Sequence, residues 1–339
     1  MKNVELNRGN LLDNEGNLLQ AGYSFELIKE YDRKIIKKHK SRIKEWDYYA
    51  VLNDEGGICF TISDCSIFSL ISVSLLNFKN KTFITKSFLK WFTFGKTNLP
   101  STSKIGDVVF KNNKVSMSFI NDGKQRIINC DISNFHDGKD LSARVILHET
   151  SNKSMVIATP FNKAKHFYYN QKINNLLCNG YYKLGAEEHL LQDAMGVLDW
   201  GRGIWTYKNT WYWASLSTKS HTGYKGFNLG YGFGDTSKAS ENMVFYHNEA
   251  FKLDDVEFIF NKDGNKINFM SPIKVQSKDK SIDLVFTPIL DRKDCTNAII
   301  IKSDQHQLFG HFSGEIKVNG NSIKFNNCIG FLEKVANRW

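Results

Sequence analysis

The chain has 339 residues, 41% of them hydrophobic and 24% charged, a balance that excludes intrinsic disorder and suffices for one large core or two smaller ones. Aromatic residues make up 13%, and 24 glycines stand against 4 prolines, which suits pleated sheet with tight turns and excludes collagen-like, proline-rich and coiled-coil classes. Lysine and arginine outnumber the acids by 45 to 35, a formal charge of +10 that raises nucleic acid or an anionic membrane as a partner; no nucleic-acid motif accompanies it.

In chain order, MKNVELNRGNLLDNEGN lacks the positive-then-apolar order of a signal peptide. No window approaches the roughly 18 apolar residues of a membrane span, so a cytoplasmic protein with reduced thiols is expected. Phe25 to Tyr31 suits a helix or a strand. The densest basic run follows, RKIIKKHKSR at 33–42, either a solvated face or a peripheral contact with anionic lipid or a charged substrate. From Trp46 the texture becomes β: WDYYAVLNDEGGICFTISD predicts a hairpin about its Gly-Gly pair, and Ile67 to Phe94 further strands. GDVVFKNNKVSMSFINDGKQRIINC at 106–130 predicts three strands joined at Asn-Asn-Lys and Asn-Asp-Gly. Leu141 to Val156 predicts one more hairpin.

Strand-like runs continue from Trp211 to Phe331, with turns at Gly264 and Gly320, at the spacing of sandwiches and barrels. The expected fold is all-β, two consecutive antiparallel barrels with few short helices, divided into 1–188, with its entry segment, and 189–339.

Six cysteines lie far apart with no CxxC pair, and most flank apolar residues as core fillers. The histidines are scattered; His306 and His311 would face opposite sides of a strand, and His166 suits a core or rim position. No metal site and no cofactor are expected, and no nucleophile motif occurs.

Most unusual residue use falls in 196–242. Asp199 and Arg202 flank Trp200 and Gly201, and Trp205, Tyr207, Trp211, Tyr212 and Trp213 follow closely. An indole environment dehydrates a carboxylate and favours its acid form, whereas a guanidinium keeps it charged, so Asp199 is either a general acid or a structural partner of Arg202. Strand alternation places Trp211 and Trp213 on one face, pointing inward, and Tyr212 on the other, pointing out. The glycines of FNLGYGFGD match neither phosphate-binding pattern and suit a bend or a close ligand. Asp235, Glu241 and Asn242 beyond them either converge on a ligand or, for Asp235 and Glu241, cap a turn and meet solvent.

The segments 44–51 (KEWDYYAV), 196–203 (GVLDWGRG) with Trp205 and Tyr207, Asn228-Leu229-Gly230 and Glu241-Asn242 resemble the bacterial family called domain of unknown function 2804. So do Thr287-Pro288, Asp291-Arg292, His306-Gln307, Phe309-Gly310, Phe312-Ser313-Gly314 and Asn337-Arg338-Trp339. The family is distantly similar to the two-barrel, lipocalin-like group of the carotenoid 1,2-hydratases, which implies two barrels in one chain. Those hydratases carry Asp-His-x-Trp-Gly before a Trp-rich strand; here the aspartate is kept, as Asp199, and the histidine is missing.

Two functions are carried forward. One is a lyase, hydratase or isomerase acting by acid catalysis on a largely apolar or polycyclic small molecule. Its catalytic residues would be Asp199, Arg202 and Glu241, its binding residues Trp46, Tyr48, Trp200, Trp205, Tyr207, Trp211, Trp213, Asn228, Tyr231, Asp235 and Asn242. The other is a non-catalytic carrier of a lipid or other hydrophobic ligand, lined by the same rings.

Overall fold

Alternating apolar and polar runs separated by Asn, Asp and Gly form strands along the whole chain in the computed structural model, which describes residues 3–221, 223–298 and 301–338. Trp339, the end of the last motif above, lies outside them. The principal strands are β1 (Ile43–Asn53), β2 (Gly56–Asp64), β3 (Phe68–Asn77), β4 (Thr82–Trp91), β5 (Val108–Lys111), β6 (Val115–Asn121) and β7 (Arg126–His136). They continue with β8 (Lys139–Glu149), β9 (Met155–Pro160), β10 (Phe167–Leu184), β11 (Met195–Ile204), β12 (Lys208–Ser220), β13 (Gly223–Tyr231), β14 (Met243–Tyr246) and β15 (Glu249–Lys252). The last are β16 (Val256–Ile259), β17 (Ile273–Ser277), β18 (Ile282–Ala298), β19 (Ile301–Val318) and β20 (Asn321–Arg338).

They build two curled antiparallel sheets, the all-β two-barrel arrangement expected. The first runs β4-β3-β2-β1-β11-β10-β8-β7-β6-β5, the second β15-β14-β13-β12-β20-β19-β18-β17-β16. Among the described residues helix is confined to two 3-10 turns, Arg33–Ile35 and Lys40–Arg42, both in the basic run.

Local details differ from expectation. The first hairpin turns at Asp54-Glu55, where Asn53 Oδ1 accepts from the backbone of Glu55 and Gly56. Gly56 and Gly57 are strand residues instead; a Cβ on Gly56 would sit 2.2 Å from the carbonyl oxygen of Leu76, so this backbone approach requires glycine. Residues 141–156 form no hairpin: β8 and β9 pair with different halves of the long strand β10, at Leu176–Leu184 and Phe167–Lys172 respectively. At 18 residues the strand has room for both, and its register with β11 shifts between Ile173 and Leu176.

The division at 188/189 falls before β11, which pairs with β1 and β10 and so completes the first sheet; the chain enters the second sheet only after Ile204. Each sheet has its own core. Tyr49, Val51, Phe60, Leu198 and Trp200 belong to the first, and Leu216, Phe227, Phe286 and Phe312 to the second. A third apolar cluster joins the sheets' outer faces, with Tyr48, Ala50, Cys59 and Val197 meeting Trp213, Phe309 and Phe331. Cys59, Cys65, Cys130 and Cys178 are buried, Cys328 is half-buried and Cys295 exposed, all as free thiols. Among the described residues no helix is long and apolar enough to cross a membrane.

Candidate functional site

On β11 the side chains alternate, so the Asp-Trp-Gly-Arg segment divides between two environments. Trp200 and Arg202 point into the first core, both fully buried. Arg202 donates to the carbonyls of Trp46 and Pro100 at 2.8 Å, pairs with Asp47 at 3.0 Å and lies 4.2 Å from the centre of the Trp200 ring. Asp199 points the other way. It pairs with Lys172, directly opposite on β10, at 2.8 Å and accepts from Asn170 Nδ2 at 2.6 Å. Asp199 and Arg202 are therefore not partners, and neither Trp200 nor Arg202 belongs to a binding surface: a three-residue offset on a strand reverses the face. Gly201 completes the device. It lies opposite Trp46, whose indole covers it so closely that a Cβ would fall 2.0 Å from the ring.

The outer faces of the two sheets enclose a cavity of about 850 Å³. On the first sheet, strand register aligns Lys172, Asp199, Tyr48, Thr61, Ser72 and Ser87 in one row. On the second it aligns Trp213, Glu333, Gln307 and Arg292. Trp46, Tyr168, Trp205, Trp211 and Phe233 form an aromatic wall. Trp46 stacks on Tyr168 at 5.8 Å, and Trp205 meets Phe233 edge-on at 4.7 Å.

This geometry inverts the expected facing of the Trp-rich strand: Trp211 and Trp213 leave the second core and face the other sheet, while Tyr212 packs within that core, stacked on Tyr231 at 4.5 Å. One face of Trp213 already carries Lys172 Nζ, 3.8 Å from the ring centre.

Glu241 is buried in the wall of this cavity, away from the outer surface expected of a turn residue. Its Oε2 accepts from Asn228 Nδ2 at 3.2 Å, and a Cβ on Gly230 would fall 2.5 Å from its Oε1, so the glycine clears its place. Burial pushes the Glu241 carboxyl above its ordinary value, Asp199 adds to the rise, and Lys172 and Asn228 pull against it. Glu333 accepts from Trp211 Nε1 at 2.7 Å and Gln305 Nε2 at 3.2 Å, and burial likewise raises it against the pull of Trp211, Arg292 and Lys172. Burial pushes the Tyr168 hydroxyl well up, with Asp199, Glu241 and Glu333 adding to it. At one end of the cavity, burial pulls the Lys44 ammonium down to about 8.

Of the expected residues, Trp46, Tyr48, Asp199, Trp205, Trp211, Trp213 and Glu241 line the cavity. The others do not. Asn228 supports it from behind, accepting from Trp213 Nε1 at 2.7 Å and holding the Glu241 backbone at 2.8 Å. Asn242 is fully buried, bonded to Gly230 N and the carbonyl of Asp254. Tyr231 is in the second core, Asp235 caps a turn through Ser237 N, and Tyr207 is half exposed beside Arg42.

Lys172, Tyr168, Arg292, Gln307 and Glu333 were not singled out. Arg292 and Gln307 lie in short motifs of the resemblance, and the outward direction of the Trp213 face was the missing clue to their convergence. Among the described residues no group of three His, Cys, Asp or Glu is placed to hold a metal ion. His306 instead stacks on Phe269 at 3.6 Å and bonds Asp291 through Nδ1 at 2.7 Å.

No protein of curated function matches the sequence. Among solved structures, a protein provisionally assigned as AttH from Nitrosomonas europaea superposes with a TM-score of 0.55 at 12% identity, over 91% of this chain and 96% of that one. Kievitone hydratase from Nectria haematococca superposes with a TM-score of 0.52 at 10% identity, over 87% and 88%. At such identities the likeness is one of fold. A family model described as Domain of unknown function (DUF2804) matches residues 3–339, and the chain belongs to that family.

Proposed function

We propose that the protein is an enzyme of lyase, hydratase or isomerase type that moves a proton on a largely apolar small molecule held between the two sheets. The observation that carries this reading is Glu241, a buried carboxyl facing a cavity walled by indole rings, which burial raises above its ordinary value. Asp199, already engaged by Lys172 and Asn170, is the positioning partner of that lysine, and the role of proton donor passes to Glu241.

In the hydration direction, the carboxyl proton of Glu241 goes to an unsaturated carbon. The π faces of the aromatic wall stabilise the resulting cation, water adds to it, and the proton that water loses returns to the Glu241 carboxylate. Loss of a proton from the neighbouring carbon instead gives an isomer. The side-chain Nε2 of Gln307 is buried in the cavity wall without a hydrogen-bond partner among the described residues, while its Oε1 accepts from Tyr48.

The test is incubation of a solvent extract of the source cells with purified protein in oxygen-18 water, followed by mass spectrometry. Wild type should add labelled water to one component, remove water from it or isomerise it, and Glu241→Gln should leave that component unchanged. Equal activity of the variant would refute the assignment. A stoichiometric, unmodified lipid that co-purifies with an inert protein would establish the carrier function.

A further inference from the structure

The mouth of the cavity carries a structure that its interior chemistry does not use. β1 and β3 begin, and β2 and β4 end, at one end of the first sheet. There Leu89, Trp91, Phe92 and Phe94 are exposed by 52%, 53%, 66% and 47%. Exposure of four adjoining large apolar side chains is unusual for a surface that meets only water.

The segment is built, not loose. Phe92 and Phe94 both adopt left-handed backbone, with φ of 56° and 46°, a conformation costly for bulky side chains. It is held by hydrogen bonds from Phe92 N to the carbonyl of Ile67 and from Phe94 N to that of Ser66. Asp64, fully buried, accepts from Gly95 N, Thr97 N and the Thr97 hydroxyl. These bonds project three rings, Trp91, Phe92 and Phe94, into solvent in a fixed array. Leu89 and Trp91 also line the cavity, so the array is its rim.

Lysines outnumber the exposed acids at this end, where Asp32 stands before the basic run. The basic run leads directly into β1 at this end, and Arg33 packs against Gly95. Arg33 is bonded to Glu45 and Arg42 to the carbonyl of Trp205, which leaves Lys34, Lys37, Lys38 and Lys40 exposed, with Lys90 and Lys96 exposed on the rim itself. Aromatic rings at the rim, with Lys90 and Lys96 beside them and the basic run entering the same end of the sheet, complement a bilayer surface, where rings enter the headgroup region and ammonium groups meet anionic lipid.

We propose that this end of the first sheet docks on an anionic membrane surface, with Trp91, Phe92 and Phe94 inserted among the lipids, so that the cavity opens toward the bilayer. The proposal is independent of the proton chemistry assigned to Glu241.

The test is co-sedimentation of the full-length protein with phosphatidylcholine vesicles, with and without phosphatidylglycerol. Binding should require the anionic lipid and weaken with salt. Trp91→Ala, Phe92→Asn and Phe94→Asn together should lower it at least about tenfold. Asparagine tolerates left-handed backbone, so this variant should melt at or above the wild-type temperature. Lys37→Gln, Lys38→Gln and Lys40→Gln together should weaken binding by about fivefold per lysine. No binding to anionic vesicles, or binding unchanged in both variants, would overturn the proposal. A wild-type dimer that the aromatic variant abolishes, without vesicle binding, would assign the rings to self-association and overturn it as well.

Discussion

Glu241 and the Lys172–Asp199 pair show how burial sets the chemistry of single side chains. Because burial raises the Glu241 carboxyl, the folded chain holds that proton to a higher pH than the unfolded chain does. Its contribution to stability therefore falls as pH rises from the ordinary carboxylate range through the raised value. Glu241→Gln should flatten that part of the stability curve and melt at neutral pH no lower than wild type, as thermal melts between about pH 4 and 8 would measure. Asp199 behaves differently. Its neutralisation in Asp199→Asn strands a buried ammonium, and denaturant melts should register a loss of about 3–5 kcal/mol. Adding Lys172→Met should restore a large part of it; strictly additive losses would show that the two do not act as a pair.

Strand alternation and register act on whole elements, placing residues distant in sequence in one row. Asp199 and Tyr48 on adjacent strands share a row with Lys172, and the opposing row brings Trp213 and Glu333 beside Gln307 and Arg292. At Gly201 the indole of Trp46, opposite it on β1, lies where a side chain would otherwise stand. In Gly201→Ala the added methyl must displace the Trp46 indole, which is stacked on Tyr168 and has Trp205 at its edge. A loss of roughly 1–3 kcal/mol is expected, with a change in tryptophan emission that a surface Gly→Ala would not cause. The strands β1 to β7 were legible because β-branched and aromatic runs alternate with Asn, Asp and Gly at intervals a turn requires. The split pairing of β10 was not, since one long strand serving two partners looks the same in sequence as two short ones.

The whole molecule depends on the apolar contact between the sheets, because that contact defines the floor of the cavity. Phe331 is 1% exposed and meets Trp213 edge-on at 4.7 Å. Phe331→Ala should cost about 3–5 kcal/mol, and melts followed by tryptophan emission and by circular dichroism should still coincide. Two separated transitions would mean that the sheets unfold independently.

The all-β class, the two-sheet plan and the aromatic character of the site follow from composition and strand period, which are local properties that neighbouring residues share. Trp46, Tyr48, Asp199, the later tryptophans and Glu241 were legible as site residues because they cluster in sequence. Which of them line the cavity, and which partners each one meets, was decided only by the tertiary structure. Alternation states that Asp199 and Arg202 face opposite ways but not which face is core. With two curled sheets packed through their outer faces, the outward side chains become the buried ones, and that packing turns Trp213 away from its own core, gives Asp199 to Lys172 and leaves Arg202 to Asp47.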